Sequence, residues 1–266
     1  VSETAPTRRR TFTFLGTGTS VGVPVIGCDC HVCRSTNPRN HRYRSSVLIN
    51  APGGTLLIDT TPEMRLQLVR ANCKLVHAIL YTHYHVDHLF GLDDARLFPM
   101  YLKGPLPIYC TAETEDVIRK AFAYAFDPAT SDLPVGMLPR LEFRRIDENP
   151  FSALGEWVTP VPLLHGRFSV FGFRIGDVAY CTDVSGIPDA SWPLLDGLDV
   201  LILGALRPSK PHPSHFSMEE AVEAIRRVKP RQAYLTHMSH LMDYDALTPR
   251  LPPNVALGYD GLSFEF

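Results

Sequence analysis

Three histidines and an aspartate fall within six residues, His83-Tyr84-His85-Val86-Asp87-His88. Neutral imidazole and carboxylate are donors that suit Zn2+, Mn2+ or Fe2+. At a strand end, residues two apart point the same way, so His83 and His85 can reach one ion together. Asp87 and His88 follow in the turn and can face a second. A chemically different cluster lies upstream. Cys28, Cys30 and Cys33, in Cys28-Asp29-Cys30-His31-Val32-Cys33, supply three thiolates. Structural zinc closes such a set with a fourth donor. His31 lies inside the loop, where its neighbours on both sides compete for the same face of an ion. His240, three residues beyond His237, is the better fourth ligand from far away. It would tie an N-terminal loop to the rim of the other site.

These donors need rigid elements behind them. Ala78-Ile79-Leu80-Tyr81 is a continuous apolar run, suited to a strand covered on both faces, and it leads into His83. The same arrangement recurs. His165 follows Val161-Pro162-Leu163-Leu164, Asp183 follows Ala179-Tyr180-Cys181-Thr182, and His237 follows Ala233-Tyr234-Leu235-Thr236. Each alone would read as a core histidine or a turn aspartate. Their repeated position past an apolar strand marks them as further ligands, because α/β sheets place their chemistry there.

Other strands are expected at Thr11–Leu15, at Val200–Leu203 and from Leu262 to the C-terminus. Hairpins are expected around Pro52-Gly53 and at Gly176. Helices are expected from Thr61-Pro62-Glu63 to Leu68 or Val69, over Thr111 to Phe126, and from the capping box Ser217-Met218-Glu219-Glu220 to about Val228. Asp127 to Pro139 reads as a Pro/Gly-rich loop. No repeat or linker divides the chain, which predicts one α/β domain over residues 11–266 with a knuckle at 28–33. Residues 1–10 read as a disordered tail.

His-x-His-x-Asp-His followed by separate His, Asp and His resembles the metallo-β-lactamase superfamily along nearly the whole chain. That resemblance implies an αββα sandwich of two β-sheets flanked by helices. It implies His83, His85 and His165 on one ion, Asp87, His88 and His237 on the other, and Asp183 bridging both. Leu57-Ile58-Asp59 matches a stretch whose aspartate supports the ligands from behind. Thr61 stands where the family often has glycine, a departure that touches a turn and no ligand. Gly16-Thr17-Gly18-Thr19-Ser20, the cysteine knuckle, Thr82 to His88 and Thr236 to His240 narrow the resemblance to PhnP-type phosphodiesterases. That group implies two catalytic divalent ions, Mn2+ or Zn2+, and one structural Zn2+. It also places a catalytic histidine at His215, in the loop Pro211 to Ser217 before a helix.

The function expected is hydrolysis of a small, in some cases cyclic, phosphodiester by a metal-bridging hydroxide attacking phosphorus in line. His215 would assist the leaving alkoxide, and Asp87 would orient the nucleophile besides acting as a ligand. His212 is assigned no role. Arg42 and Arg44 suit phosphate chemically, but such arginines more often form surface ion pairs. The alternatives are a ribonuclease Z-like nuclease, a lactonase or thioesterase, and a PqqB-like non-hydrolytic cofactor-biosynthesis protein.

Composition limits the partners. Twenty-six basic and 28 acidic residues give a formal net charge of −2, without a global pull on nucleic acid. Apolar residues make up 45%, enough for a substantial core. No apolar run approaches the ~20 residues of a membrane helix. Clustered cysteines and the lack of a signal-like apolar segment point to the cytoplasm. Cys73, Cys110 and Cys181 read as small buried hydrophobes. Oligomeric state stays open, a homodimer included.

Overall fold

The computed structural model describes residues 10–130 and 132–266. The stretch expected as a tail lies outside them apart from Arg10, whose Nε is 2.9 Å from the Glu156 carboxylate.

The first half of the chain builds one sheet. Its strands are β1 (Thr11–Gly16), β2 (Ser46–Ala51), β3 (Gly54–Ile58), β4 (Ala78–Leu80), β5 (Leu106–Cys110) and β6 (Leu141–Arg145). The second sheet takes β7 (Phe151–Ala153), β8 (Glu156–His165), β9 (Phe168–Ile175), β10 (Val178–Cys181), β11 (Val200–Gly204), β12 (Gln232–Thr236) and β13 (Val255–Leu257). The last strand, β14 (Ser263–Glu265), crosses back to the edge of the first. Strand order is β14-β1-β2-β3-β4-β5-β6 in one and β13-β12-β11-β10-β9-β8-β7 in the other.

The inward faces meet in a shared core of Phe12, Phe14, Ile49, Ile58, Phe173 and Ile202. Helices α1 (Met64–Arg70), α2 (Val86–Leu89), α3 (Phe98–Leu102) and α4 (Ala112–Ala121) accompany the first sheet, with Met64, Leu68 and Ile118 buried against its outer face. On the second sheet, α5 (Met218–Val228) buries Met218, Ala221 and Ile225, and α6 (Tyr244–Leu247) buries Leu247. The result is the expected αββα sandwich, since each apolar sheet face must be covered.

Local chemistry explains the details. β4 and β11 pair in parallel on both sides and are wholly buried, as continuous apolar runs require. β9 and β10 join at Gly176, φ +57. Pro160 and Pro162 interrupt no ladder in β8, because β7 pairs only with Glu156 to Val158. Pairing on that edge resumes only at Leu164, which bonds to Ser185 and Gly186, so the prolines fit in the gap between. Gly16 ends β1 where a Cβ would lie 2.0 Å from the Arg44 carbonyl.

Two helices differ from expectation. The first starts at Met64, because Thr61 is used elsewhere: its hydroxyl donates to Gln67 Oε1 at 2.9 Å. The second stops at Ala121, where Phe122 leaves helical geometry and turns its ring into the core. A short 3-10 turn, Ala123–Ala125, replaces the rest. Ser217 caps α5 with the full capping box. Among the described residues no helix is long and apolar enough to cross a membrane.

Candidate metal centre

The expected donors converge where strands of both sheets end. His83 follows β4, His165 closes β8, Asp183 follows β10 and His237 follows β12. Nitrogen or oxygen atoms of His83, His85, His165 and Asp183 lie within 4.8 Å of one another, and so do those of Asp87, His88, Asp183 and His237. Asp183 belongs to both groups and divides its oxygens between them. Oδ2 is 3.8 Å from His83 Nε2 and 3.7 Å from His165 Nε2. Oδ1 is 3.3 Å from His88 Nε2 and 3.1 Å from His237 Nε2. Donors around one tetrahedral ion with bonds of ~2.1 Å sit about 3.4 Å apart, so these spacings suit one ion in each group.

The rings are held from behind. Asp59 accepts from the Thr82 amide at 2.9 Å, the Thr82 hydroxyl at 2.8 Å and His88 Nδ1 at 2.7 Å. With its proton given to Asp59, the Thr82 hydroxyl accepts from His83 Nδ1 at 2.9 Å. His165 Nδ1 donates to the Ser214 carbonyl at 2.7 Å. Each contact fixes a tautomer and leaves Nε2 as a lone pair facing the cluster.

Two observations test whether cations fit. His88 Nε2 and both ring nitrogens of His237 are buried without a well-formed hydrogen bond, although Asp183 Oδ1 lies 3.3 and 3.1 Å from the two Nε2 atoms, an arrangement a cation between them would satisfy. The electrostatics also call for positive charge. Burial alone would raise Asp183, yet His237, His88 and His83 hold its carboxyl well below the usual range. Burial opposes charge on His88, yet Asp183, Asp87 and Asp59 push that imidazole well up. Burial and the neighbouring His88 push His83 well down. Carboxylates surrounded by lone-pair nitrogens suit divalent metal.

The backbone carries strain here. Asp59, Asp183 and His237 adopt φ of +65, +46 and +57, which costs a side-chain-bearing residue on the order of 1 kcal/mol each. Each turns sharply off a strand end so that its side chain reaches the cluster. Nothing in the sequence signalled these conformations, because none of the three is glycine.

His215 stands at the edge of the cluster. Its ring centroid is 4.7 Å from those of His165 and His237, stacked on the latter at 16°. Burial, then the neighbouring His237, lowers its pKa to about 3. His212 turns to Ser214, with Nδ1 3.2 Å from the hydroxyl.

The cysteine cluster also forms. Cys28, Cys30 and Cys33 Sγ lie 3.2, 3.5 and 3.6 Å from His240 Nδ1. The Cys33 amide, donating to Cys30, brings that thiol down to about 6, whereas burial pushes Cys33 up to about 11. His31 turns away to Asp243, at 3.3 Å. Met238, between His237 and His240, is gripped by backbone bonds to Thr17 and Thr19 at 2.8 and 3.1 Å. Arg42 is buried beneath this loop and donates to the Met242 and Ser239 carbonyls at 2.6 and 3.3 Å. Arg44 pairs with Glu63. Both arginines are therefore committed to structural partners.

Comparison with known proteins shows the family and the fold. A family model described as a beta-lactamase superfamily domain matches residues 54–238. A crystal structure of a diphosphatase from the PhnP family superposes with a TM-score of 0.90 at 42% identity, covering 97% of each chain. An octanoyltransferase of Porphyromonas gingivalis is 35% identical over 251 residues, 93% of this chain but 50% of that protein. A ribonuclease Z of Anoxybacillus flavithermus is 26% identical over 321 residues, 94% of this chain and 96% of the relative. The chain belongs to the metallo-β-lactamase superfamily, as a PhnP-like member with the fold of its metal-dependent hydrolases.

Proposed function

We propose that the protein is a binuclear metal-dependent phosphodiesterase acting on small phosphodiesters. The observation that carries this reading is the division of Asp183 between two groups of donors, with His215 at their edge. His83, His85 and His165 would hold one ion and Asp87, His88 and His237 the other, with Asp183 available to both. Divalent ions there supply Lewis acidity toward phosphate oxygens and a nucleophile at neutral pH. The likeness to a PhnP-family diphosphatase supports phosphorus as the reacting atom.

The protein's own groups do the rest. Asp59, Thr82 and the Ser214 carbonyl keep three imidazoles in one tautomer. Asp87, held anionic by His88 and His237 against the effect of burial, orients the nucleophile. Burial, then the neighbouring His237, favours the neutral His215 imidazole in the free protein, and its place at the edge of both donor groups suits it to assist the leaving oxygen. Cys28, Cys30, Cys33 and His240 would hold a structural zinc.

The test is metal analysis with a substrate screen. Protein reconstituted with Mn2+ or Zn2+ should bind two ions besides the knuckle zinc. It should cleave cyclic or linear diesters faster than a lactone, a thioester or a tRNA precursor. Efficient cleavage of the precursor would favour the nuclease reading, which the ribonuclease Z likeness supports. The His215→Ala variant should lose roughly 10²-fold in kcat on an unactivated diester with metal content unchanged. Full activity in that variant sinks the role given to His215.

A further inference from the structure

A cavity of about 340 Å3 opens beside His83 and His85, within the size range of small-ligand sites. Thr82, Tyr84 and the first turn of α4 form one wall, and Arg167 of the β8–β9 turn with the start of β9, Phe168 to Phe171, forms the other. The Phe171 amide donates to the Thr82 carbonyl at 3.1 Å and locks the walls together. His165 pairs across the turn with Phe168, and Gly166, φ +63, makes the turn possible. The aromatic wall is thus tethered directly to one of the clustered imidazoles.

The lining differs from the donor clusters. Phe168 is 44% exposed. Its ring lies 6.5 Å from Tyr84 at 80° and 5.7 Å from His85 at 88°. Rings set at right angles form a cradle in which a flat ligand ring stacks on one and meets the other edge-on. Arg167 and Glu113 line the same cavity. Neither has a hydrogen-bond or ion-pair partner among the described residues. By contrast Glu115, on the same helix turn as Glu113, is committed to Arg119 and Arg145.

We propose that this cavity binds the nucleoside half of a nucleotide-type phosphoester, a deepening that rests on the phosphodiesterase reading. The base lies against Phe168 and Tyr84. Glu113 accepts from a base N–H or a ribose hydroxyl, and Arg167 takes a phosphate oxygen that is not cleaved. The reacting phosphorus lies toward His83 and His85. An alkyl or acyl chain fits worse, because it would cover Arg167 and Glu113 without giving either a partner. A bare sugar phosphate would leave the aromatic cradle empty.

Titration calorimetry on metal-loaded protein tests this with two probes that differ only by the base, adenosine 5′-monophosphate and ribose 5-phosphate. The nucleotide should bind roughly tenfold tighter or more, the scale of one base–aromatic stack. Phe168→Ala should erase that difference, and an unchanged Tm should confirm that it folds. A kinetic arm compares thymidine 5′-(p-nitrophenyl phosphate) with methyl p-nitrophenyl phosphate, which share a leaving group. Wild type should favour the thymidine ester through KM, and Phe168→Ala should lose the preference. Equal affinities for the two probes, or a preference that survives Phe168→Ala, overturns the proposal. If no diester is cleaved but the base preference and its loss in Phe168→Ala hold, the phosphodiesterase reading fails and the nucleoside site stands.

Discussion

His237 and His240 sit on one short loop yet serve clusters built in opposite ways. The knuckle draws three of its four donors from positions 28 to 33 and uses no carboxylate. Its thiols are held by local amides, such as Val25 to Cys33 and Cys33 to Cys30, both at 3.4 Å. The histidine–aspartate cluster draws on the ends of four strands in both sheets, shares Asp183, and keeps its rings in place through Asp59, Thr82 and Ser214. A closed set of three thiols and one imidazole suits a staple, whereas shared donors beside an open cavity suit chemistry. The difference teaches that local sequence gathers three of the knuckle's donors and leaves only His240 for the fold to deliver, while the histidine–aspartate cluster needs both sheets to bring its donors together.

The comparison breaks most visibly at Asp183. Asp183→Asn removes the charge that both groups share, so both catalytic ions should be lost while the knuckle keeps its zinc. Activity on a diester should fall on the order of 10³-fold or more, the scale of removing a charge-stabilising group from an active site. Elemental analysis beside the rate assay checks it. Unchanged metal content would mean that the groups do not depend on Asp183.

Asp59→Asn should do less. It removes the carboxylate behind His88 and Thr82 and touches no expected ion. Metal affinity of the catalytic pair should drop roughly 10–100-fold, read by competition with a chelator, with the knuckle unaffected. The knuckle has no comparable backing carboxylate among the contacts of its thiols, so this variant separates the two designs.

The third effect runs the other way. Cys30→Ser should release the structural zinc and lower Tm by roughly 5–10 °C, equivalent to about 3 kcal/mol. Activity should persist in part, because the loop bearing His237 is also held at Met238. Two metal equivalents should remain. Complete loss of all metal would show that the knuckle is a precondition for the other cluster.

How much of this was legible follows the same division. The sequence displays the knuckle and the run from His83 to His88 as motifs, because neighbouring residues share a face. His165, Asp183 and His237 are visible only as polar residues capping apolar strands, and their assembly needed resemblance to a family. The left-handed turns at Asp59, Asp183 and His237 were invisible, since tertiary packing imposes them against local preference. The Ser214 carbonyl behind His165 has no side-chain signature at all. Arg167, Phe168 and Glu113 lie on two elements with no periodicity linking them, so the cavity they line appears only in three dimensions. The helix expected over Thr111 to Phe126 ends at Ala121 because tertiary contacts claim the residues that follow. Phe122 packs into the core, and the Tyr124 hydroxyl donates to Asp93.

The smallest expected effect tests whether the two clusters share a foundation. Arg42 is 2% exposed, with its guanidinium beneath the loop that carries both His237 and His240. It donates to Met242 and Ser239 carbonyls and to Asn40 Oδ1, at 2.6, 3.3 and 3.2 Å. Arg42→Met keeps the apolar stem but orphans these acceptors, at a cost of about 2–3 kcal/mol in all. Denaturant unfolding should show that loss. The backbone bonds from Met238 to Thr17 and Thr19 remain, so kcat should fall only a few-fold. If the foundation is common, zinc exchange from the knuckle and metal loss from the catalytic pair should accelerate together in a chelator assay. Acceleration confined to the knuckle would make the clusters independent neighbours, and the closeness of His237 and His240 in sequence would then carry no mechanical meaning.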